Sequence, residues 1–373
     1  MSRWLLATGD FTPFGGMDRA NHALADCLAR REQDVRLIAH RVSPALASNP
    51  FVSVRRVARP FGSNLAGAPL LARAAQLEAQ AVGPSARVLM NGGNGALGAP
   101  TWIHYLHAAY APDVRGPVRR AAAAIGRRYF LARETAALTT APLVICNSER
   151  TAADVQRHYR VDPARIRVVY YGSDAREFAP VSADERRAAR AAFQVGDGRR
   201  IAAFVGALGD RRKGFDLLFD AWRTLSAEAG WDVDLLVAGS GAEIPAWRAR
   251  ARAAGLDSRI RFLGFRPDVA QLLAASDVLV HPARYEAYGL GVHEAICRGV
   301  PAIVTATSGV AEQCPPPVRG LLIPSPSVVG VTAALRAWRE DADGWRARLE
   351  PAAAALRRRT WDDMAAEIIA VVS

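Results

Sequence analysis

Short apolar runs alternate with amphipathic stretches along most of this chain. WLLATGD (4–10) reads as a strand, and 15–31 as a loop turning into a helix. Further strands are expected at 34–40, 51–58, 87–93, 101–107, 143–148 and 166–172. Helical patterns fall between them at 69–81, 118–139 and 149–158. A second series opens with RIAAFVGAL (200–208) and continues at 232–241, 260–265, 277–282, 302–306 and 321–324. Strands that alternate with helices predict parallel, doubly wound α/β sheets. The stretch between the series, rich in Ala, Arg and Asp, reads as a hinge. The expected layout is a first domain over 1–175, a hinge over 176–198 and a second domain over 199–359. A last helix, 360–373, is capped by Thr360 with acidic residues in its first turn.

Length and composition agree with two domains: 373 residues, half of them hydrophobic, give each domain a core of its own. Apolar runs reach only about eight residues, short of the ~20 a membrane span needs. The first apolar run is too short for a signal peptide. Cys27, Cys146, Cys297 and Cys314 lie far apart without metal-like spacing and read as free thiols in a reducing cytosol. The net charge of +12 is carried almost wholly by arginine and favours anionic partners. A GC-rich genome produces the same bias. With no zinc-finger or RNA-binding signature alongside it, nucleic acid is not an expected partner.

The most informative stretch is HPARYEAYGLGVHEAICRGVP (281–301), which follows a strand. It holds Glu286 and Glu294 with seven residues between them, and a helix pattern starting near Leu290. A helix start after a strand offers unpaired N–H groups and a positive dipole end to a phosphate. One carboxylate can accept ribose hydroxyls while the other meets a second group, a combination suited to a nucleotide sugar. FVGALGDRRKGF (204–215) also follows a strand, and its loop carries Arg211, Arg212 and Lys213. Cations beside such a loop suit a pyrophosphate. Gly15 and Gly16 lie in a turn before a helix but do not form the dinucleotide fingerprint. His104 and His107 fall on opposite faces of a strand, so they are poor joint metal ligands, and His104 reads as structural. Asp232 and Asp234 open a strand, the end away from the ligand side of a parallel sheet. The basic segment 115–133 is a candidate contact with anionic membrane, or a solvated face.

These segments, in this order, resemble the retaining glycosyltransferases of family 4. Further landmarks are CNSERT (146–151), VVYYGSD (168–174), AGSGAE (238–243), IRFLGFRPD (260–268) and TSGVAE (307–312). The resemblance implies the GT-B fold: two Rossmann-like domains facing each other across a cleft, with the last helix packed back on the first domain. It also implies transfer of a sugar from a nucleoside diphosphate donor to a hydroxyl, with retention, no catalytic metal and no cofactor. The roles it implies are Arg212 and Lys213 on the pyrophosphate and leaving group, Glu294 on ribose, Glu286 on the donor sugar, and His107 on the reacting sugar. Donor contacts are expected from Gly15, Gly16, Gly206, Gly239, Phe265, Arg266, Tyr288, Gly289 and Leu290 as well. Ala207 departs from the pattern, standing where the family often has arginine, and Tyr171–Gly172–Ser173 replaces its usual turn. These departures keep open a nucleotide-sugar epimerase of the same architecture and a catalytically silent nucleotide- or glycan-binding protein. The expected setting is cytoplasmic, with the acceptor, lipid-linked or not, unidentified, and peripheral membrane contact through 115–133.

Overall fold

The structure, a computed structural model, describes residues 2–196 and 198–373. The chain forms two compact units. One comprises the residues up to Ala111, with Ala121–Gly172 and Arg359–Ser373; the other comprises Pro112–Arg120 and Ser173–Arg358.

The first unit contains β1 (Arg3–Ala7), β2 (Asp10–Phe11), α1 (Gly16–Arg30), β3 (Asp34–Ala39), β4 (Arg41–Val42), α2 (Pro44–Ala47), β5 (Val52–Arg56), α3 (Asn64–Val82), β6 (Arg87–Asn91) and β7 (Thr101–Ile103). It continues with α4 (Pro117–Thr140), whose first turn belongs to the second unit, then β8 (Val144–Cys146), α5 (Glu149–Tyr159) and β9 (Ile166–Val168). Its main sheet is parallel, in the order β5-β3-β1-β6-β7-β8-β9. Both faces are covered, which is why β1 reads as a nearly unbroken apolar run. Helix α3 starts ahead of Pro69, because the Ser63 hydroxyl accepts from the Ala66 N–H at 3.4 Å and caps it.

The expected strand over 101–107 stops at Ile103, and a single 3-10 turn, His107–Ala109, follows. The cause is Glu134 on α4, whose carboxylate accepts the backbone N–H of His107 at 2.6 Å and of Ala108 at 3.3 Å. Those donors are therefore taken from any sheet ladder.

The second unit holds α6 (Ala183–Ala192), β10 (Arg200–Val205), α7 (Phe215–Ser226), β11 (Val233–Ala238), α8 (Ile244–Ala253), β12 (Ile260–Gly264), α9 (Val269–Ala275), β13 (Val278–His281), α10 (Leu290–Cys297), β14 (Ala302–Thr305), β15 (Leu322–Ile323), α11 (Val328–Glu340) and α12 (Ala342–Arg358). Its sheet is parallel in the order β12-β11-β10-β13-β14-β15. Alternation along β10 splits the core: Ala202 and Phe204 pack on one face with Trp222 and Trp338, while Ile201 and Ala203 pack on the other with Leu279 and Ile296. The stretch 176–198, expected as a hinge, contributes Phe178, Ala189 and Phe193 to that second face. Arg186 and Arg190 on α6 also pair with Asp277.

The chain ends in α13 (Trp361–Val372), counted with the first unit. A capping box opens it: Thr360 and Asp363 each bond the other's backbone N–H, at 2.8 and 3.2 Å. All four cysteines are buried free thiols. Among the described residues, no helix is long and apolar enough to cross a membrane.

Candidate active site

Two loops at the carboxyl ends of neighbouring strands build the site in the second unit. One runs from the end of β10 through Gly206, Arg212 and Lys213 into α7; the other runs from His281, at the end of β13, through Glu286 and Gly289 into α10. They are joined at several points. The Arg284 guanidinium grips the Asp216 carboxylate of α7 with two bonds of 2.7 Å, and it also donates to the Arg211 carbonyl at 2.7 Å. The Arg284 N–H donates to the Arg212 carbonyl at 2.8 Å. Gly214, at φ 72°, has no room for a side chain, since a Cβ there would overlap the Pro282 carbonyl. Gly239, at the end of β11, lies equally close to the Gly206 carbonyl. Two backbones meet there at a distance only glycine permits.

Lys213 forms a buried ion pair with Glu286, and His281 Nε2 lies 2.8 Å from the same Glu286 Oε2. Burial alone would raise the Glu286 carboxyl. The charge of Lys213, the His281 hydrogen bond and Arg212 outweigh it and hold Glu286 well below the usual carboxylate range. Burial and the Lys213 charge draw His281 below its ordinary value, so the ring is neutral at pH 7. An ionised carboxylate only accepts, so Nε2 carries the proton and donates it to Glu286. Burial also lowers Lys213, against the pull of Glu286.

Gly289 caps α10 in the left-handed region, and the Glu286 carbonyl accepts the Gly309 N–H at 3.2 Å. Tyr288 is buried, its hydroxyl 2.7 Å from His293 Nδ1; Leu290 and Glu294 are buried on α10. The N-termini of α7 and α10 therefore lie beside a cation, a carboxylate and a neutral imidazole. This arrangement suits a diphosphate carrying hydroxylated groups.

Of the residues picked out in the sequence, Gly206, Arg212, Lys213, Gly239, Glu286, Tyr288, Gly289, Leu290 and Glu294 lie on these strand ends, loops and helix starts. Phe265 is exposed just past β12. The Arg266 side chain is committed elsewhere, bonded to the Asp268 carboxylate and lying over the Phe193 ring. Arg211 pairs with Asp113 at 3.3 Å. Gly15, Gly16 and His107 belong to the first unit: Gly15 caps α1 and Gly16 is its first residue. The His107 ring stacks on Phe130 with centroids 4.6 Å apart. Asp232 is paired with Arg339 and Arg200, and Asp234 with Arg199 and Arg259. Sequence reasoning missed His281 as the partner of Glu286. Its signal was a polar residue closing an otherwise apolar strand, VLVH.

Residues 14–177 match the family model of Glycosyltransferase Family 4, and residues 185–355 match that of Glycosyl transferases group 1. The chain belongs to glycosyltransferase family 4. Among curated family relatives, a D-inositol 3-phosphate glycosyltransferase of Corynebacterium urealyticum is 30% identical over 238 residues, 61% of this chain and 56% of that protein. The lipopolysaccharide glucosyltransferase WaaG of Escherichia coli strain K12 is 30% identical over 165 residues, 44% of each chain. The matched stretches thus span about half the length of these relatives. The crystal structure of WaaG, a glycosyltransferase involved in lipopolysaccharide biosynthesis, superposes with a TM-score of 0.80 at 22% identity, covering 99% of both chains. Anabaena HepE in complex with UDP-glucose gives 0.72 at 19% identity, covering 100% of both chains. These likenesses give the fold, GT-B, with two Rossmann-like domains.

Proposed function

We propose that this family 4 protein is a retaining glycosyltransferase. It moves a sugar from a nucleoside diphosphate donor to a hydroxyl acceptor in glycan, polysaccharide or glycolipid assembly. The observation that carries this reading is the buried Lys213–Glu286–His281 cluster beside the starts of α7 and α10. The UDP-glucose complex of HepE supports a nucleotide-sugar donor.

In this reading Arg212 and Lys213 hold the diphosphate and stabilise the leaving group, with the two helix N-termini adding to the field. Glu294 accepts ribose hydroxyls, Glu286 meets the donor sugar and His107 positions the reacting sugar. The acceptor hydroxyl attacks on the leaving-group face, and the departing phosphate oxygen takes its proton. Fixed cations do this work without a catalytic metal or cofactor. The one Asp-x-Asp pair considered for a metal, Asp232 and Asp234, is engaged by four arginines.

The setting is cytoplasmic, with peripheral contact on anionic membrane through α4. Exposed Val118 and Ile125, seven residues apart on one helix face, stand near exposed Arg120 and Arg128 and support this contact. Other arginines of 115–133 are engaged in the fold: Arg115 lies over Trp247, Arg119 pairs with Glu243, and Arg133 donates to the Gly93 carbonyl.

The test is a thermal-shift panel of UDP-, GDP-, ADP- and TDP-sugars, with and without EDTA, on wild type and Glu294→Ala. One donor raising the melting temperature of wild type only, with EDTA inert, is expected. No response to any donor together with no turnover overturns the transferase, and a response abolished by EDTA overturns the metal-free route.

A further inference from the structure

A pocket of about 450 Å³ lies in the second unit, at β12, the edge strand of its sheet. Arg248 and Arg252 of α8 line it, together with Asp257 and the first three residues of β12, Ile260, Arg261 and Phe262. The Lys213–Glu286 cluster stands at the carboxyl ends of the strands, whereas this pocket opens at the amino end of β12. Its volume falls within the ~300–1,000 Å³ of small-molecule sites.

The charges of the pocket are unbalanced. Arginines around the same edge are paired: Arg250 with Asp220, Arg259 with Asp234 and Arg266 with Asp268. Arg248, Arg252 and Arg261 pair with no carboxylate among the described residues, Asp257 on their own wall included. Arg248 and Arg252 stand one turn apart on a helix, where like charges repel, and Arg261 adds a third cation to the same cavity. Two of the three are held in place. Arg248 Nη2 donates to the Phe262 carbonyl at 3.0 Å, and Arg261 Nη1 donates to the Gln194 carbonyl at 3.4 Å. Each bond uses one N–H of its guanidinium and leaves the others for a ligand.

Basic side chains also guard sheet edges against an added strand. Here Arg248 already occupies the Phe262 carbonyl, so an extended peptide has lost that rung of the ladder, and a compact anion fits better. A phosphoryl group presents three acceptor oxygens, the match for converging guanidinium forks. Asp257 accepts a hydroxyl and disfavours further negative charge, while Ile260 and Phe262 offer apolar surface to a carbon skeleton.

We propose that this pocket binds the phosphate monoester of a small hydroxylated molecule, with the phosphoryl oxygens on Arg248, Arg252 and Arg261. The site is separate from the donor loop and does not depend on the transferase reading.

Isothermal titration of the full chain with glucose 6-phosphate and with glycerol 3-phosphate, at fixed ionic strength, tests this. At least one monoester binds with a Kd of about 1 mM or below. The double variant Arg248→Gln, Arg252→Gln weakens it at least tenfold, and Arg212→Gln, in the donor loop, changes it less than about twofold. Both replaced side chains are exposed and repel each other, so the double variant melts no lower than wild type and its binding loss is not a folding loss. No monoester binding, binding kept in the double variant, or binding lost equally in Arg212→Gln overturns the proposal. Sulfate binding as tightly at the same ionic strength marks an unselective basic face and also overturns it. Phosphatidic acid vesicles carry the same group on a lipid. If they retain wild type and not the double variant while the free monoesters fail to bind, the occupant is a lipid headgroup and the small-molecule proposal falls. The donor response is scored separately by thermal shift: its absence removes the transferase and leaves this site.

Discussion

Replacing Lys213 by Met strands a carboxylate, and the cost can be worked from the site. The Lys213 and Glu286 side chains are only 16% and 11% exposed, so water screens the pair little. Once the cation is gone, Glu286 escapes an unpaired buried charge by taking a proton, which burial favours. From an ordinary value of 4.5, protonation at pH 7 costs about 3 kcal/mol, at roughly 1.4 kcal/mol per pH unit. That lies at the lower edge of the ~3–5 kcal/mol typical for breaking a buried pair. At pH 5 the same protonation costs under ~1 kcal/mol. The burial of Lys213 itself is relieved in the variant at both pH values, so the difference between them is the firmer quantity, about 2–3 kcal/mol. Denaturant unfolding of wild type and Lys213→Met at pH 7 and pH 5 measures it, following the transition that shifts, since two units can unfold separately. Adding Glu286→Gln to Lys213→Met should recover most of the pH 7 deficit, the non-additivity expected of direct partners. A deficit below ~1 kcal/mol that ignores pH would mean the pair is screened like a surface ion pair, and the argument would fail.

His104 and Gly239 provide two further tests. Burial holds His104 at about 3, with Asn21 Nδ2 3.2 Å from its Nε2, so the unfolded chain takes up a proton below 6.5 that the native ring refuses. Stability contributed by this site is therefore present above pH 6.5 and lost as pH falls toward 3, at up to ~1.4 kcal/mol per pH unit. His104→Gln should flatten that part of the stability–pH curve, and an unchanged slope between pH 6.5 and 4 would contradict the assignment. Gly239→Ala forces a methyl group onto the Gly206 carbonyl and should abolish donor-induced thermal shifts along with a loss of roughly 2–4 kcal/mol. Gly230→Ala, also at positive φ but with open space around it, should cost about 1 kcal/mol and leave the donor response intact. Equal effects at the two glycines would refute the close-approach argument.

What the sequence made legible follows from the range of the interactions involved. The strands were readable because both sheets are buried on both faces, leaving apolar runs such as IAAFV and VLV. Lys213 and Glu286 stood out because each sits in a loop between a strand and a helix, a local pattern. Their pairing was not readable, because it closes a contact between residues 73 apart. Arg284 and Asp216 are likewise 68 residues apart. The truncated strand after Ile103 is a case of the same kind: Glu134, on another element, decides it by capturing two N–H groups. The stretch 176–198 looked like a linker because α6 is mostly Ala and Arg. Its buried anchors, Phe178 and Phe193, lie outside that helix. A pocket in the first unit lined by Asp10 and Asn91, among others, left no local signature, since its walls come from many separate segments.

The chain passes from one unit to the other four times, after Ala111, Arg120, Gly172 and Arg358. Neither unit is therefore a contiguous stretch of gene. A fragment covering only 173–358 would lose Asp113 and Arg119, which hold Arg211 and the Gly209 carbonyl from outside that stretch. A fragment ending at 172 would lose α13, leaving α1 without an element packed against it and Arg30 without its partner Asp362. Recombination between relatives by a single splice at the middle of the chain would thus exchange incomplete units. An exchange that carries 112–120 and 359–373 with their own units would keep both whole.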